Sequence, residues 1–181
     1  MIVRLAQDSD REPAIEVERR AFGKPEEAAI VAAIWDEPGS FGLVAEEAAR
    51  LVGHVQFSAA TIGDADVGVL SLGPIGVVPE HQGRGVGRGL IEAGLREARA
   101  RGAVAVILLG SPSYYERFGF RPGTSFGLTN PYTGTQEDGF VVAEEDFQVL
   151  PLTEPAAPFH GRVRWHLAFG EPPVDRPSDA G

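Results

Sequence analysis

The sequence predicts a mixed α/β (α+β) domain in which a buried central strand runs parallel to a later one and helices cover the sheet. Three observations carry this. Leu70–Val78 is apolar on nearly every side chain, as suits a strand covered on both faces. It leads through alternating glycines into a helical pattern, and Val104–Leu109 then follows as a second continuous aliphatic run. Strand, helix and strand in that order give a parallel pair joined by a crossover. Phe41–Ala48 and Leu51–Ala59, joined near Arg50, read as an antiparallel hairpin.

The elements follow in order. Ile2–Leu5 is a short apolar strand, and Asp8, Ser9 and Asp10 offer N-cap oxygens for a helix through about Phe22. Ala14, Val17, Ala21 and Phe22 form its apolar side. Pro25 suits the first position of a second helix, with Glu26 and Glu27 favourable at its N-terminal dipole. Ala29, Ile30, Ala33 and Ile34 recur at helical spacing before Pro38-Gly39 ends the run. Thr61–Asp66 reads as a polar turn into the central strand. The helix from about Gly87 to Arg101 buries Leu90, Ile91, Leu95 and Ala98. Glu92/Arg96 and Glu97/Arg101 are expected as i,i+4 pairs worth about 0.2–0.5 kcal/mol each. Gly102 stops the helix. Ser111-Pro112 or Ser113 begins a very short helix carrying Tyr114 to Phe118, and further strands are expected at Gly139–Val142 and Arg162–Phe169. Residues 1–169 form the expected domain, and 170–181, rich in proline and charge, a disordered tail.

A chain of 181 residues can bury a proper core as one domain. With 26 acidic and 16 basic residues it carries a formal charge of −10, which argues against general binding to nucleic acid or anionic membranes. The same acidity suits a cationic or amine substrate. There is no cysteine, so disulfides, thiolate metal sites and a cysteine acyl-enzyme are excluded. No apolar run approaches the roughly 20 residues that span a bilayer, and the N-terminus lacks the pattern of a secretion signal. A cytoplasmic enzyme without metal is the expectation.

The chemistry centres on the passage from strand to helix. Proline brings no N–H to a ladder, so Gly73-Pro74 marks a bulge or a point where the neighbouring strand diverges. After Pro79, Gly83, Gly85, Gly87 and Gly89 alternate with Arg84, Val86 and Arg88. Such a loop lets backbone approach a ligand closely, and a phosphate suits the unpaired amides and positive dipole of a helix start. The alternative is a plain glycine-rich turn. G-x-x-x-x-G-K-[ST] fails because no lysine follows these glycines, and G-x-G-x-x-G fails because Arg88, Leu90 and Glu92 hold the third-glycine positions. A glycine-loop nucleotide protein therefore ranks last among the readings.

These residues resemble the GCN5-related N-acetyltransferases (GNAT). The signature is a bulged strand ending in a Val-x-Pro-like sequence followed by [QR]-x-x-G-x-[GA], here Ile75-Gly76-Val77-Val78-Pro79 and Gln82-Gly83-Arg84-Gly85-Val86-Gly87. Tyr115-Glu116-Arg117-Phe118-Gly119-Phe120 is similar to the family's Tyr-Glu-x-x-Gly-Phe segment. LSLGPIGV with LLGSPSYYERFGF resembles the YhbS-type subgroup of predicted acetyltransferases. The resemblance implies a mostly antiparallel sheet with splayed parallel central strands and acetyl-CoA as acyl-donor cosubstrate. Its pantetheine arm would lie along Ile75, Gly76 and Val77 as an added strand. Its pyrophosphate would sit on amides from Gly83 through Arg84, Gly85, Val86 and Gly87 to Arg88, with Gln82 also among the cofactor-binding residues.

It also implies direct acetyl transfer to a primary amine of a small molecule or protein, with Tyr115 as the general acid that protonates the departing thiolate. The other reading of Tyr115 is a core tyrosine beside Phe118 and Phe120, and Tyr114 reads as packing. The central strand carries none of the carboxylates that many relatives use as a base. His54, in a strand and titrating near neutrality, is the candidate base, against the alternative of a satisfied structural histidine. Glu46 is an outside candidate. His81 reads as solvated, and His160 and His166 lack metal spacing. Trp35 and Trp165 read as core or rim residues, with Trp165 able to line an acceptor pocket. A homodimer stays open, since late strands in the family often help form dimers. The competing reading from another class is a non-catalytic acyl-CoA-binding or sensing domain.

Overall fold

The structure, a computed structural model, describes residues 1–63, 65–137, 140–153 and 160–170. The expected tail after Gly170 and the Gly139 start of one expected strand lie outside these residues. Strand β1 (Ile2–Leu5) precedes helices α1 (Arg11–Phe22) and α2 (Glu26–Ile34), and then come β2 (Phe41–Glu47), β3 (Arg50–Ile62) and β4 (Ala65–Val77). Helix α3 (Val86–Ala100) leads to β5 (Ala105–Leu109) and the one-turn helix α4 (Pro112–Tyr115). Short strands β6 (Arg121–Pro122), β7 (Leu128–Thr129), β8 (Gln136–Glu137) and β9 (Phe140–Val141) follow, then β10 (Phe147–Pro151) and β11 (Gly161–Arg164).

The main sheet runs β1-β2-β3-β4-β5-β10-β6, and β11 pairs with both β3 and β7. It is mostly antiparallel, with β4 and β5 parallel as expected. Alternation along β3 sends neighbouring residues to opposite faces. Phe57 packs under α3 so closely that a Cβ on Gly94 would come within 2.4 Å of its ring, whereas His54 faces Glu18 of α1. Helices α1 and α3 thus clamp opposite sides of the central strands. Val55, Phe57, Leu90, Ile91 and Val106 are buried in the larger apolar cluster, and Ser58 and Ser71 pair at 2.8 Å inside the sheet.

Several expectations are corrected. The polar turn at 61–66 shrinks to the residues about Gly63, because Ile62 is buried and β11 pairs with Thr61 and Ile62. Strand β10 was not anticipated. Phe147 and Val149 are buried as it covers the outer edge of β5, a short run whose closing Pro151 disguises the alternation. The last expected strand stops at Arg164, and Leu167–Phe169 is a 3₁₀ turn begun by the His166 side chain, which accepts from the Ala168 amide. On α3, Glu97 pairs with Arg101 as expected, but Glu92 bonds back to Arg88 at 2.7 Å instead of pairing with Arg96. No helix among the described residues is long and apolar enough to cross a membrane.

Asp10 does not cap α1 through its side chain. It is buried, and its carboxylate accepts two bonds from Arg4, at 2.6 and 3.0 Å, and one from the Gln7 amide. The Arg4 bonds hold its pKa below the usual carboxylate range against the opposing effect of burial. A depressed carboxylate contributes stability that is present above its ordinary value near 3.8 and lost as pH falls through the folded value. Asp10→Asn should lose about 1.5–3 kcal/mol at neutral pH, the worth of hydrogen bonds to a charged group. Urea denaturation at neutral pH and near pH 3 checks this, and the gap between the two proteins should narrow at the lower pH.

Candidate active site

The β4–β5 ladder pairs Val69 with Ala105, Leu70 with Val106 and Ser71 with Ile107, and goes no further. On the other edge β4 stays with β3, but the register slips by one residue between Leu72 and Ile75, where Gly73-Pro74 supplies the bulge. Ile75, Gly76 and Val77 therefore have a strand on one side and a gap on the other. The missing proline N–H and the extra residue account for both effects.

Beyond Val77 the chain makes a 3₁₀ turn at Pro79–His81, and the Gln82 side chain donates to the Val77 carbonyl at 2.9 Å. Gly83 and Gly85 then adopt φ of 69° and 82°, a left-handed backbone that favours glycine. Gly89 N–H bonds to Gly85 O, so the amides of Val86, Gly87 and Arg88 precede the first turn's own ladder. A cavity of about 510 Å³ opens over them. Ile75, Val77, Gln82, Gly83, Gly85, Val86, Gly87 and Arg88 all line it, as the sequence suggests, and His81, Tyr114 and Arg117 join them. Gly76 and Arg84 do not. The missing side chain of Gly76 faces α1, and Arg84 points to Glu47 at 3.8 Å.

Ile75 also lines a second cavity of about 450 Å³ on the far side of the splay. Its floor is Leu72, Gly73 and Pro74 from β4 and Leu109 from β5, and its walls come from α1, α2 and the segment after β6. Tyr115 reaches this chamber from α4. Its ring packs against Tyr114, Phe118 and Phe120, and its hydroxyl makes no hydrogen bond among the described residues. Burial, helped by Tyr114, pushes the phenol up to about 12. The hydroxyl is therefore protonated throughout the physiological range.

His54 does not reach either cavity. It is fully buried, with Nδ1 2.6 Å from Glu18 Oε1, Nε2 3.2 Å from Gln56 Oε1, and Trp35 stacked on it at 5.9 Å. Burial raises the Glu18 carboxyl above its ordinary range, against the opposing pull of the His54 bond. This is the satisfied structural histidine of the two readings. Glu46 is also turned away, bonded to Arg4 at 3.0 Å. His81 is not a free surface residue, since Nε2 lies 2.9 Å from Glu47. Among the described residues no cluster of three metal-ligating side chains occurs.

A bulged strand parted from its parallel neighbour, leading from a glycine loop to a buried tyrosine, has the layout of an acyltransferase. Comparison with known proteins gives the same class. Residues 2–123 match the acetyltransferase (GNAT) domain family. The chain is 34% identical over 155 residues to YjhQ of Escherichia coli (strain K12), described as an uncharacterized N-acetyltransferase, covering 82% of this chain and 86% of that one. Among solved structures, YhbS from Escherichia coli in complex with CoA aligns with a TM-score of 0.83 at 28% identity, covering 94% of this chain and 92% of that one. A GNAT family acetyltransferase from Brucella melitensis in complex with acetyl-CoA aligns with a TM-score of 0.75 at 33% identity, covering 93% and 97%. The chain belongs to the GNAT family, a class of N-acetyltransferases whose acyl donor is acetyl-CoA.

The glycines of the two walls differ in what fixes them. A Cβ on Gly76 would sit 2.5 Å from Glu18 Oε2 and 3.0 Å from Ala21, inside packed structure, whereas one on Gly87 would meet the end of the half-exposed Tyr114 at 3.3 Å and Val77 at an ordinary 3.8 Å. Gly76→Ala should therefore cost about 1–3 kcal/mol through overpacking. Gly87→Ala, in a helix, should gain up to about 1 kcal/mol from helix propensity. Urea denaturation of the two variants checks the opposite signs.

Proposed function

We propose that the chain transfers the acetyl group of acetyl-CoA directly to a primary amine. The pantetheine arm occupies the gap beside Ile75, Gly76 and Val77, and the pyrophosphate rests on the amides of Gly83 to Arg88. The supporting observation is that the two cavities share Ile75, so an extended thioester lying along the gap carries its acyl carbon toward the chamber lined by Tyr115. Arg88 and Arg117 add positive charge to the phosphate end.

In this reading a neutral amine attacks the thioester carbonyl and a C–N bond forms. The tetrahedral adduct then collapses, the C–S bond breaks, and the sulfur takes the phenolic proton of Tyr115. A phenol near 12 is a weaker acid than a thiol near 8.5, so it cannot surrender the proton for good. It regains one from the nitrogen that has just become an amide. Tyr115 is thus a relay that ends each turnover in its starting state, and no acyl-enzyme forms.

Tyr115→Phe should lower kcat by about 10²–10⁴-fold, the usual worth of a general acid, while leaving the Kd for acetyl-CoA unchanged. Gly87→Glu should do the reverse, weakening binding of acetyl-CoA and desulfo-CoA at least tenfold by placing bulk and negative charge on the pyrophosphate site. Calorimetry and a thiol-release assay read the two effects separately. Acetyl-CoA binding with no turnover on any amine would identify a sensing domain instead.

A further inference from the structure

The chamber beyond the splay has a distinctive chemistry. Phe22, Ile30, Leu72, Tyr132, Trp165 and Phe169 give it an apolar, largely aromatic wall. The polar ends of the two amphipathic rings are already engaged. Trp165 Nε1 donates to Asn130 at 3.0 Å and the Tyr132 hydroxyl to the Gly170 carbonyl at 2.8 Å. These side chains therefore offer the chamber ring surface in place of hydrogen bonds. Among the described residues Glu27 is the one charged group in the lining. Its Oε2 is shielded from solvent and has no hydrogen-bond partner among the described residues, while Lys24, which is not part of the lining, approaches the other oxygen at 3.4 Å. A buried carboxylate oxygen without a donor is an unmet demand for one.

Resting on the acetyl-transfer reading, we infer that the acceptor is a small-molecule primary amine on an apolar, preferably aromatic, arm, and that Glu27 is the residue that receives its ammonium group. The ammonium donates to Glu27 Oε2, and the arm lies against Trp165 and Phe169. Aromatic faces suit both partners, since they attract a nearby cation and bury hydrocarbon. Apart from Glu27 and the hydroxyls of Tyr115 and Tyr132, the side chains lining the chamber among the described residues present ring or aliphatic surface, so a polyhydroxylated amine would leave most of its hydroxyls unpaired, which weakens binding strongly. Glu27 also takes the first proton. The ammonium transfers H⁺ to the carboxylate and becomes the neutral nucleophile, and the proton leaves to solvent after turnover. The second nitrogen proton follows the Tyr115 relay to the sulfur, so each turnover yields one amide, one free thiol and one released proton. This supplies, from α2, the carboxylate that the central stretch Leu70–Val78 lacks.

The test compares 2-phenylethylamine, hexylamine, ethanolamine and glucosamine as acceptors for the full chain with acetyl-CoA. The expected result is a kcat/KM for 2-phenylethylamine at least tenfold above that for ethanolamine or glucosamine. Glu27→Gln should lower the 2-phenylethylamine value at least tenfold with acetyl-CoA affinity and melting temperature unchanged. Amine turnover that favours the polar acceptors, or that Glu27→Gln leaves intact, overturns this inference and leaves acetyl transfer standing. Turnover of no amine by a protein that still binds acetyl-CoA overturns the acetyl-transfer reading and this inference with it.

Discussion

Everything in the active site follows from one interrupted ladder. Two parallel strands that begin in register at Val69–Ala105 would close into a continuous sheet if their hydrogen bonding continued past Ser71–Ile107. The Gly73-Pro74 pair prevents it, because proline has no N–H to offer and the extra residue rotates the following backbone away from β5. An unpaired strand edge inside a sheet is ordinarily a liability. Here both ends of the gap are built to receive something, with orphan amides at the α3 start and a shielded phenol at Tyr115. The acetyl-CoA arm proposed for this gap carries amides of its own and so completes the sheet that the proline left open.

The strand with the gap needs support from its other side, and the buried Glu18–His54 pair sits there. Glu18 occupies the space that a side chain at position 76 would fill, and His54 is the β3 residue paired with Gly76. A charged or strongly polar pair in this position is a poor source of net stability, since desolvation offsets most of the attraction. What it does contribute is position. Both ring nitrogens of His54 are used, one by Glu18 and one by Gln56, so α1 and β3 are tied together beside the β4 residue Gly76.

Much of this was legible in the sequence for physical reasons. Glycines at 83 and 85 advertise left-handed backbone, and the structure uses them so. Proline within an otherwise apolar strand announces a break in pairing, and the ladder ends at Ser71, three residues before Pro74. What escaped notice was long-range. Glu18 lies on the apolar stripe of α1, four residues after Ala14 and three before Ala21, and a carboxylate on a buried stripe signals a buried partner. That signal was available. It does not say which residue is the partner, because His54 is 36 residues away and meets Glu18 only through packing of α1 on β3. Strand β10 was hidden for a related reason, as its strand character comes from the vacant edge of β5 more than from its own five residues.

The same distinction separates the donor and acceptor halves of the cleft. The half with the glycine loop is built from two short stretches, residues 75–88 and 114–117, and short-range rules of strand, turn and helix start describe the longer of them. The acceptor half is assembled from α1, α2, the splay and the segment after β6, which touch only in the folded protein. A contiguous motif can persist while distant walls change, because its geometry depends on few other parts of the chain. A shared acetyl-donor signature is therefore compatible with different acceptors.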